Sequence, residues 1–265
     1  MRAPILDTEM AHDDTGGTGR LLVLVPGAGD IRSEFRFMVG PFAANGYRVV
    51  TADLPGHGES PLAAEYTVAG TAAALIGLIE ELGSGPVTIV SASFAPAAAV
   101  WAATDRPDLI DSLVSISPHF HADPSVGGLL QRWAIKALLR GPWAATLWSR
   151  LYAGWYKESP PSDLGDQIAS LRTMLREPGR RRAVRETLVA GRDGVADRMA
   201  GLRVPTLTVF GELDDHFADP ALEARTTAAM LGGAELLVPG AGHYPHVEQP
   251  EMVCDAIVDF LADLR

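Results

Sequence analysis

Cysteine is almost missing from this chain: Cys254 is the only one in 265 residues. A lone cysteine excludes an internal disulfide framework and fits a reducing compartment. An excess of positive charge is missing as well. With 22 Lys and Arg against 33 Asp and Glu the net charge is −11, which excludes general affinity for nucleic acid, because phosphate binding needs a basic surface. No apolar run approaches the roughly 20 residues that cross a bilayer, so no membrane span is expected. The opening stretch MRAPILDTEMAHDD lacks the basic start and apolar centre of a signal peptide, and with the single cysteine this predicts a cytoplasmic protein. A metal signal is absent too: His119 and His121 alternate after a strand and do not form the ligand sets zinc requires. No cofactor is expected.

What is present describes a folded chain. Apolar residues make up 47% and charged residues 21%, and the length suffices for one large core with an insertion. Short β-branched or leucine-rich runs ending in turn residues predict buried parallel strands at Leu21–Val25, Arg48–Leu54, Val87–Ser91, Ser112–Ile116, Thr206–Phe210 and Glu235–Val238. A weaker strand is expected within Ile5–His12, ending in a loop over Asp13–Gly19. Helices are predicted between the strands, at Glu34–Asn45, Thr67–Leu82, Phe94–Thr104 and Pro220–Leu231. After Pro250 a last one repeats Val253, Ile257, Phe260, Leu261 and Leu264 at helical spacing. The alternation predicts an α/β fold: a mostly parallel sheet flanked by helices, with function at the carboxyl ends of the strands.

The alternation stops between residues 119 and 200. That stretch has no convincing strand and reads as amphipathic helices separated by Gly141-Pro142, Ser159-Pro160-Pro161 and Pro178-Gly179. It holds Trp133, Trp143, Trp148 and Trp155, four of the five tryptophans. It also carries 13 Lys and Arg against eight Asp and Glu. The division expected is a core of residues 1–118 and 201–265, with 119–200 as a helical lid over the active face. The cluster Arg180, Arg181, Arg182 and Arg185 is read first as a solvated helix face. Its alternative reading is a docking surface for an acyl carrier or coenzyme A thioester, since arginine suits phosphate.

Three separated segments carry the chemistry. The strand Val87–Val90 runs into Ser91-Ala92-Ser93-Phe94-Ala95 and then an alanine-rich stretch, which puts a serine on a sharp strand-to-helix turn. Such a turn brings the residues two before and two after the nucleophile almost into contact. Ser93 is preferred because its flanks, Ser91 and Ala95, are small, whereas Ser91 as nucleophile would place Ile89 in that crowded position. Gly240-Ala241-Gly242-His243-Tyr244-Pro245-His246 follows the last strand, and its glycines let a loop aim His243 as a base; His246 is its competitor. Gly211-Glu212-Leu213-Asp214 follows the preceding strand and offers a carboxylate to orient the imidazole, with Asp215 and the more distant Asp123 as alternatives. The turn Pro26-Gly27-Ala28-Gly29 is read as presenting backbone amides toward a developing oxyanion, with the Phe94 amide as partner; the alternative is an ordinary tight turn, while a phosphate loop is disfavoured because no Gly-Lys-Ser/Thr follows. The turn Ala52–Ser60 is architectural.

These motifs together (D-L-P-G-H-G-E-S, G-x-x-D and G-x-G-H-x-P-H-x-E-Q-P) resemble the α/β-hydrolase superfamily in its lid-bearing, esterase-like branch, across nearly all of the chain outside the lid. The resemblance implies a Ser93, Asp214 and His243 triad, oxyanion donors at Ala28 and Phe94, and an enzyme of the carboxylic ester hydrolase kind. Two departures from the family pattern stand out: Pro26 occupies a position often held by histidine, and Ser91 and Ala95 replace the elbow glycines. The expected substrate is a small molecule, a bulky apolar or aromatic ester, thioester or lactone, with His119, Trp133, Trp155 and Tyr244 as substrate-contacting candidates. The alternatives are other chemistry on the same scaffold (acyl transfer, C–C cleavage or cofactor-free oxidation) and a binding protein with a retired triad.

Overall fold

The computed structural model describes residues 9–121 and 126–264. Seven strands form one sheet: β1 (His12–Asp14), β2 (Leu21–Val25), β3 (Arg48–Ala52), β4 (Val87–Ala92), β5 (Ile110–Ile116), β6 (Thr206–Gly211) and β7 (Ala234–Val238), in the order β1-β3-β2-β4-β5-β6-β7. All neighbours run parallel except β1, which pairs antiparallel with β3. Every residue of β2, β4 and β6 is buried, which is why those runs read as continuous apolar stretches.

Side chains still alternate between the two faces of the sheet. Leu21, Val23 and Val25 of β2 pack with α2 (Val68–Leu82) and α3 (Ala95–Asp105). Leu22 and Leu24 pack on the opposite face with α1 (Arg36–Ala44) and the C-terminal helix Pro250–Ala262. The predicted helix over 34–45 is divided, with a tight 3₁₀ turn at Arg32–Phe35 leading into α1. Thr67 caps α2 by accepting the Gly70 amide at 2.9 Å, and Gly83 ends it at φ 60°, the conformation glycine adopts without a Cβ penalty.

The first strand differs from expectation. Of the predicted segment 5–12, residues 5–8 lie outside the described ones, and the strand extends instead into the expected loop, pairing Asp13 with Thr51 and Asp14 with Val50. Two acids tolerate a sheet edge there because Arg48 sits on Asp14 at 2.5 Å and Arg32 on Asp13 at 2.6 Å. The turn 52–60 is architectural, as its sequence suggested. Asp53 is buried and takes the amides of Arg32 and Glu59 at 2.7 and 2.9 Å.

Among the described residues between β5 and β6 there are five helices: α4 (Val126–Leu138), α5 (Ala144–Gly154), α6 (Leu164–Arg176), α7 (Pro178–Leu188) and α8 (Val195–Gly201). α4 to α7 share a core of their own around Trp148, Tyr152, Leu171 and Val184, which also takes in Tyr244. α8 belongs elsewhere, since Val195 and Met199 pack beside α3 in the sheet's own core. α9 (Pro220–Leu231) lies between β6 and β7, and the short α10 (Pro245–Glu248) and the C-terminal α11 (Pro250–Ala262) follow β7. Among the described residues no helix is long and apolar enough to cross a membrane.

Candidate active site

Ser93 stands where β4 gives way to α3, with φ at 56°. A left-handed backbone costs a non-glycine residue about 1–2 kcal/mol, and the surroundings hold it in place. The Ser93 amide donates to the Ile116 carbonyl and its own carbonyl accepts from the His119 amide, each at 2.8 Å. Ser91 and Ala95 are both fully buried, so small side chains close the turn without the usual glycines. Gly27 approaches so closely that a Cβ there would come within 2.9 Å of the Ser93 Cβ.

His243 follows β7, and its Nδ1 donates to Asp214 Oδ2 at 2.8 Å. Both side chains are buried. Burial raises the Asp214 pKa, but the charge and hydrogen bond of His243 outweigh it and hold the carboxyl below the ordinary range. Asp214 therefore stays ionised and accepts only, which fixes the proton on Nδ1 and leaves the lone pair on His243 Nε2. The competitors are engaged elsewhere. Asp215 is half out in solvent and bonded to Lys157 at 2.7 Å, and His246 is fully buried 3.0 Å from Glu34. Asp123 lies outside the described residues.

The loop carrying His243 is tied to the helical insertion. The His243 amide donates to the Trp155 carbonyl at 3.0 Å. Glu248 accepts the Gly242 amide at 2.6 Å with one oxygen and the amides of Lys157 and Ser159 at 2.8 and 3.2 Å with the other. A Cβ on Gly242 would strike the Trp155 carbonyl at 2.1 Å, so glycine is required by close approach.

The turn at 26–29 has a brace of its own. Where Pro26 removes a family histidine, the buried Glu34 carboxylate accepts the Gly27 amide at 3.0 Å, and Trp148 Nε1 donates to the Gly29 carbonyl at 3.1 Å. Asp30 lies beside Glu34 and accepts from Gln167 of α6 at 2.8 Å. Burial, then the charge of Glu34, raises the Asp30 pKa to about 8, and burial raises Glu34 to about 7. With the folded pKa of Asp30 above its unfolded value, the folded protein binds the extra proton between about pH 4 and 8, and stability falls as pH rises through that window. Asp30→Asn keeps an acceptor for Gln167 and removes the titration. It is expected to match the parent near pH 4 and to exceed it by a few kcal/mol near pH 9, read from thermal unfolding across pH. Parallel pH profiles for the two proteins would contradict this assignment.

One cavity of about 540 Å³ connects these parts. Ser93, His243, Gly27, Ala28 and Phe94 line its floor, and Ile135, Leu138, Trp148, Leu151 and Trp155 of the insertion line its roof. His119 and Tyr244, both proposed from sequence, also face it. Trp133 does not. It is 70% exposed on α4, because the helical phase turns Ile135 and Leu138 inward, and the buried Trp148 takes the place expected of it. Glu34, Trp148, His216 and Glu248 were not singled out from the sequence. Of these only Glu248 carried a local signal, as the glutamate of H-x-P-H-x-E-Q-P.

Residues 22–256 match the model of the alpha/beta hydrolase family. The non-heme bromoperoxidase BpoC of Mycobacterium tuberculosis H37Rv is 27% identical over 263 residues, covering 97% of this chain and 98% of that one, and its crystal structure superposes with a TM-score of 0.79 over 97% of each chain. Lipase LipV from Mycobacterium tuberculosis is 37% identical over 94 residues, spanning 36% of this chain and 34% of the lipase. A thermophilic esterase from Thermogutta terrifontis matches with a TM-score of 0.80 and 25% identity, over 96% of this chain and 93% of that structure.

Proposed function

This chain belongs to the α/β-hydrolase family, a family of enzymes, and from that premise we propose that it cleaves an ester, thioester or lactone of a bulky apolar substrate through Ser93, His243 and Asp214. The observation that carries the reading is the 2.8 Å His243–Asp214 bond opening onto the same cavity as a serine held at φ 56°. Ser93 Oγ attacks the carbonyl carbon while His243 Nε2 takes its proton, and Asp214 stabilises the resulting imidazolium. The backbone amides of Ala28 and Phe94 receive the oxyanion, the first on the turn braced by Glu34 and the second at the start of α3. Collapse expels the leaving group, protonated by His243, and leaves an acyl-enzyme. Water, deprotonated by the same imidazole, attacks that acyl group and frees Ser93. The esterase and lipase names of two relatives support this reaction class.

Of the expected lid, the helices α4 to α7 act as the lid in this reading, and their apolar roof selects the substrate. Burying one aromatic ring contributes about 1.5–3 kcal/mol, so a p-nitrophenyl ester with an aromatic acyl group should show a KM about 10- to 100-fold below that of the acetate. Equal KM values would contradict the role given to the roof. Carrier docking at the arginine cluster gains less support. Arg180 reaches the Ser60 carbonyl, Arg181 donates to the carbonyls of Leu175 and Arg176 at 3.0 Å, and Arg182 bonds Glu186 at 2.8 Å. These groups stitch the lid to itself and to the turn at 57–60. Reversing charge at Arg181 and Arg185 is therefore expected to leave thioester turnover unchanged at low salt, and a several-fold loss would restore the carrier reading.

A further inference from the structure

Three adjacent strands deliver three imidazoles to one corner of the cavity. His119 follows β5, His216 lies two residues past Asp214 in the turn after β6, and His243 follows β7. One ring nitrogen from each lies within 4.8 Å of the other two, and His119 Nε2 stands 3.4 Å from His216 Nδ1. Two nitrogens bound to one tetrahedral zinc at about 2.0–2.1 Å would be separated by about 3.3–3.4 Å, so this pair already has ligand spacing. The His216 and His243 ring centroids are 4.0 Å apart. With Nδ1 of His243 committed to Asp214, its Nε2 is the atom available to an ion.

We propose that His119, His216 and His243 form a binding site for a single divalent transition-metal ion, zinc above all, and that ion binding and serine chemistry exclude each other. Both need the same lone pair on His243 Nε2. The surroundings are those of a built site. The Asp214–His243 pair has the carboxylate–histidine arrangement that orients metal-bound imidazoles. The His216 amide bonds Asp214 Oδ1 at 3.1 Å, and Trp155 stands edge-on to the His216 ring at 4.8 Å. His119 is stacked on Phe217 with centroids 4.9 Å apart. Of the cations nearby, Lys157 is paired with Asp215, and Arg192 donates to the His119 carbonyl at 2.9 Å and lies over the Phe94 ring. Three nitrogen ligands with a fourth position facing a cavity make an open site of the His₃ kind, and imidazole donors favour zinc, copper or nickel over magnesium or calcium. The ion would act as a reversible brake, lifted by a chelator.

The binding half of this proposal stands on the three rings alone, and the inhibitory half rests on His243 being the general base. Cobalt(II), whose visible spectrum reports tetrahedral nitrogen coordination, and zinc titration calorimetry test the first half on the chelator-treated protein. The Ser93→Ala variant should bind both ions within a few-fold of the parent. His216→Gln and His119→Gln, each confirmed as folded by circular dichroism, should each weaken binding by at least about 100-fold. Absence of a tetrahedral cobalt spectrum, or binding unchanged in both histidine variants, would overturn the site. For the second half, ester hydrolysis by the parent should fall over the same zinc concentrations that fill the site and return with EDTA. Each histidine variant, measured against its own metal-free rate, should resist zinc. Full hydrolysis at saturating zinc would overturn the exclusion. A parent that hydrolyses no ester even when metal-free would count against the hydrolase reading instead, and the cobalt spectrum would still decide the site.

Discussion

Ser93→Ala is expected to lower kcat on p-nitrophenyl esters by about 10⁴- to 10⁶-fold, the range seen when a triad nucleophile is removed. The fold should survive, because alanine retains the Cβ and removes only an oxygen facing the cavity. Ser93→Gly separates function from stability more sharply. It is equally inactive in this account, yet it relieves the left-handed strain at φ 56° and should raise stability by about 1 kcal/mol. Initial rates and thermal unfolding on the same preparations give both quantities. Turnover retained in the alanine variant would mean a different nucleophile. The neighbouring Ser91 does not fill that role, since it is fully buried and its hydroxyl points to the Val114 carbonyl at 3.4 Å.

The second large effect is expected at Asp214. Asp214→Asn should lower kcat by about 10⁴-fold, because an amide donating to His243 Nδ1 moves the ring proton to Nε2 and leaves no lone pair for the serine proton. Asp215→Asn should leave kcat near that of the parent, as its carboxylate meets Lys157 and not the imidazole. The pair also marks stability. The folded pKa of Asp214 lies below the ordinary carboxylate value, so its contribution is present above that value and is lost as pH falls toward the lowered one. The asparagine variant should therefore lose less stability than the parent on acidification. Equal catalysis by the two variants, or a larger defect at Asp215, would contradict the assignment.

These contrasts indicate where sequence reading reaches and where it stops. The strands were legible because β2, β4 and β6 are buried on both faces and so appear as unbroken apolar runs bounded by turns. Ser93 and His243 were legible because their chemistry needs special local backbone, small residues around an elbow and glycines before a loop. Asp214 and Asp215 are adjacent in one motif, and only the packing shows which reaches the imidazole. Trp133 and Trp148 look alike in sequence, and helical phase separates them, leaving one at 70% exposure and the other buried. Glu34 accepts the Gly27 amide and lies 3.0 Å from His246, contacts that cross elements, and it stands in a helix start that has no motif. His216 was invisible for the same reason: its partners, His119 and His243, come from other strands.

The central claim is that Ser93 is an activated nucleophile, and covalent labelling by a fluorophosphonate tests it most directly. With chelator present, intact-mass and peptide analysis should find one phosphonyl group per chain, on the peptide containing Ser93. The adduct should be absent in Ser93→Ala and should form far more slowly in Asp214→Asn. No adduct on the folded wild-type chain, or one that persists after Ser93 is replaced, would contradict the account.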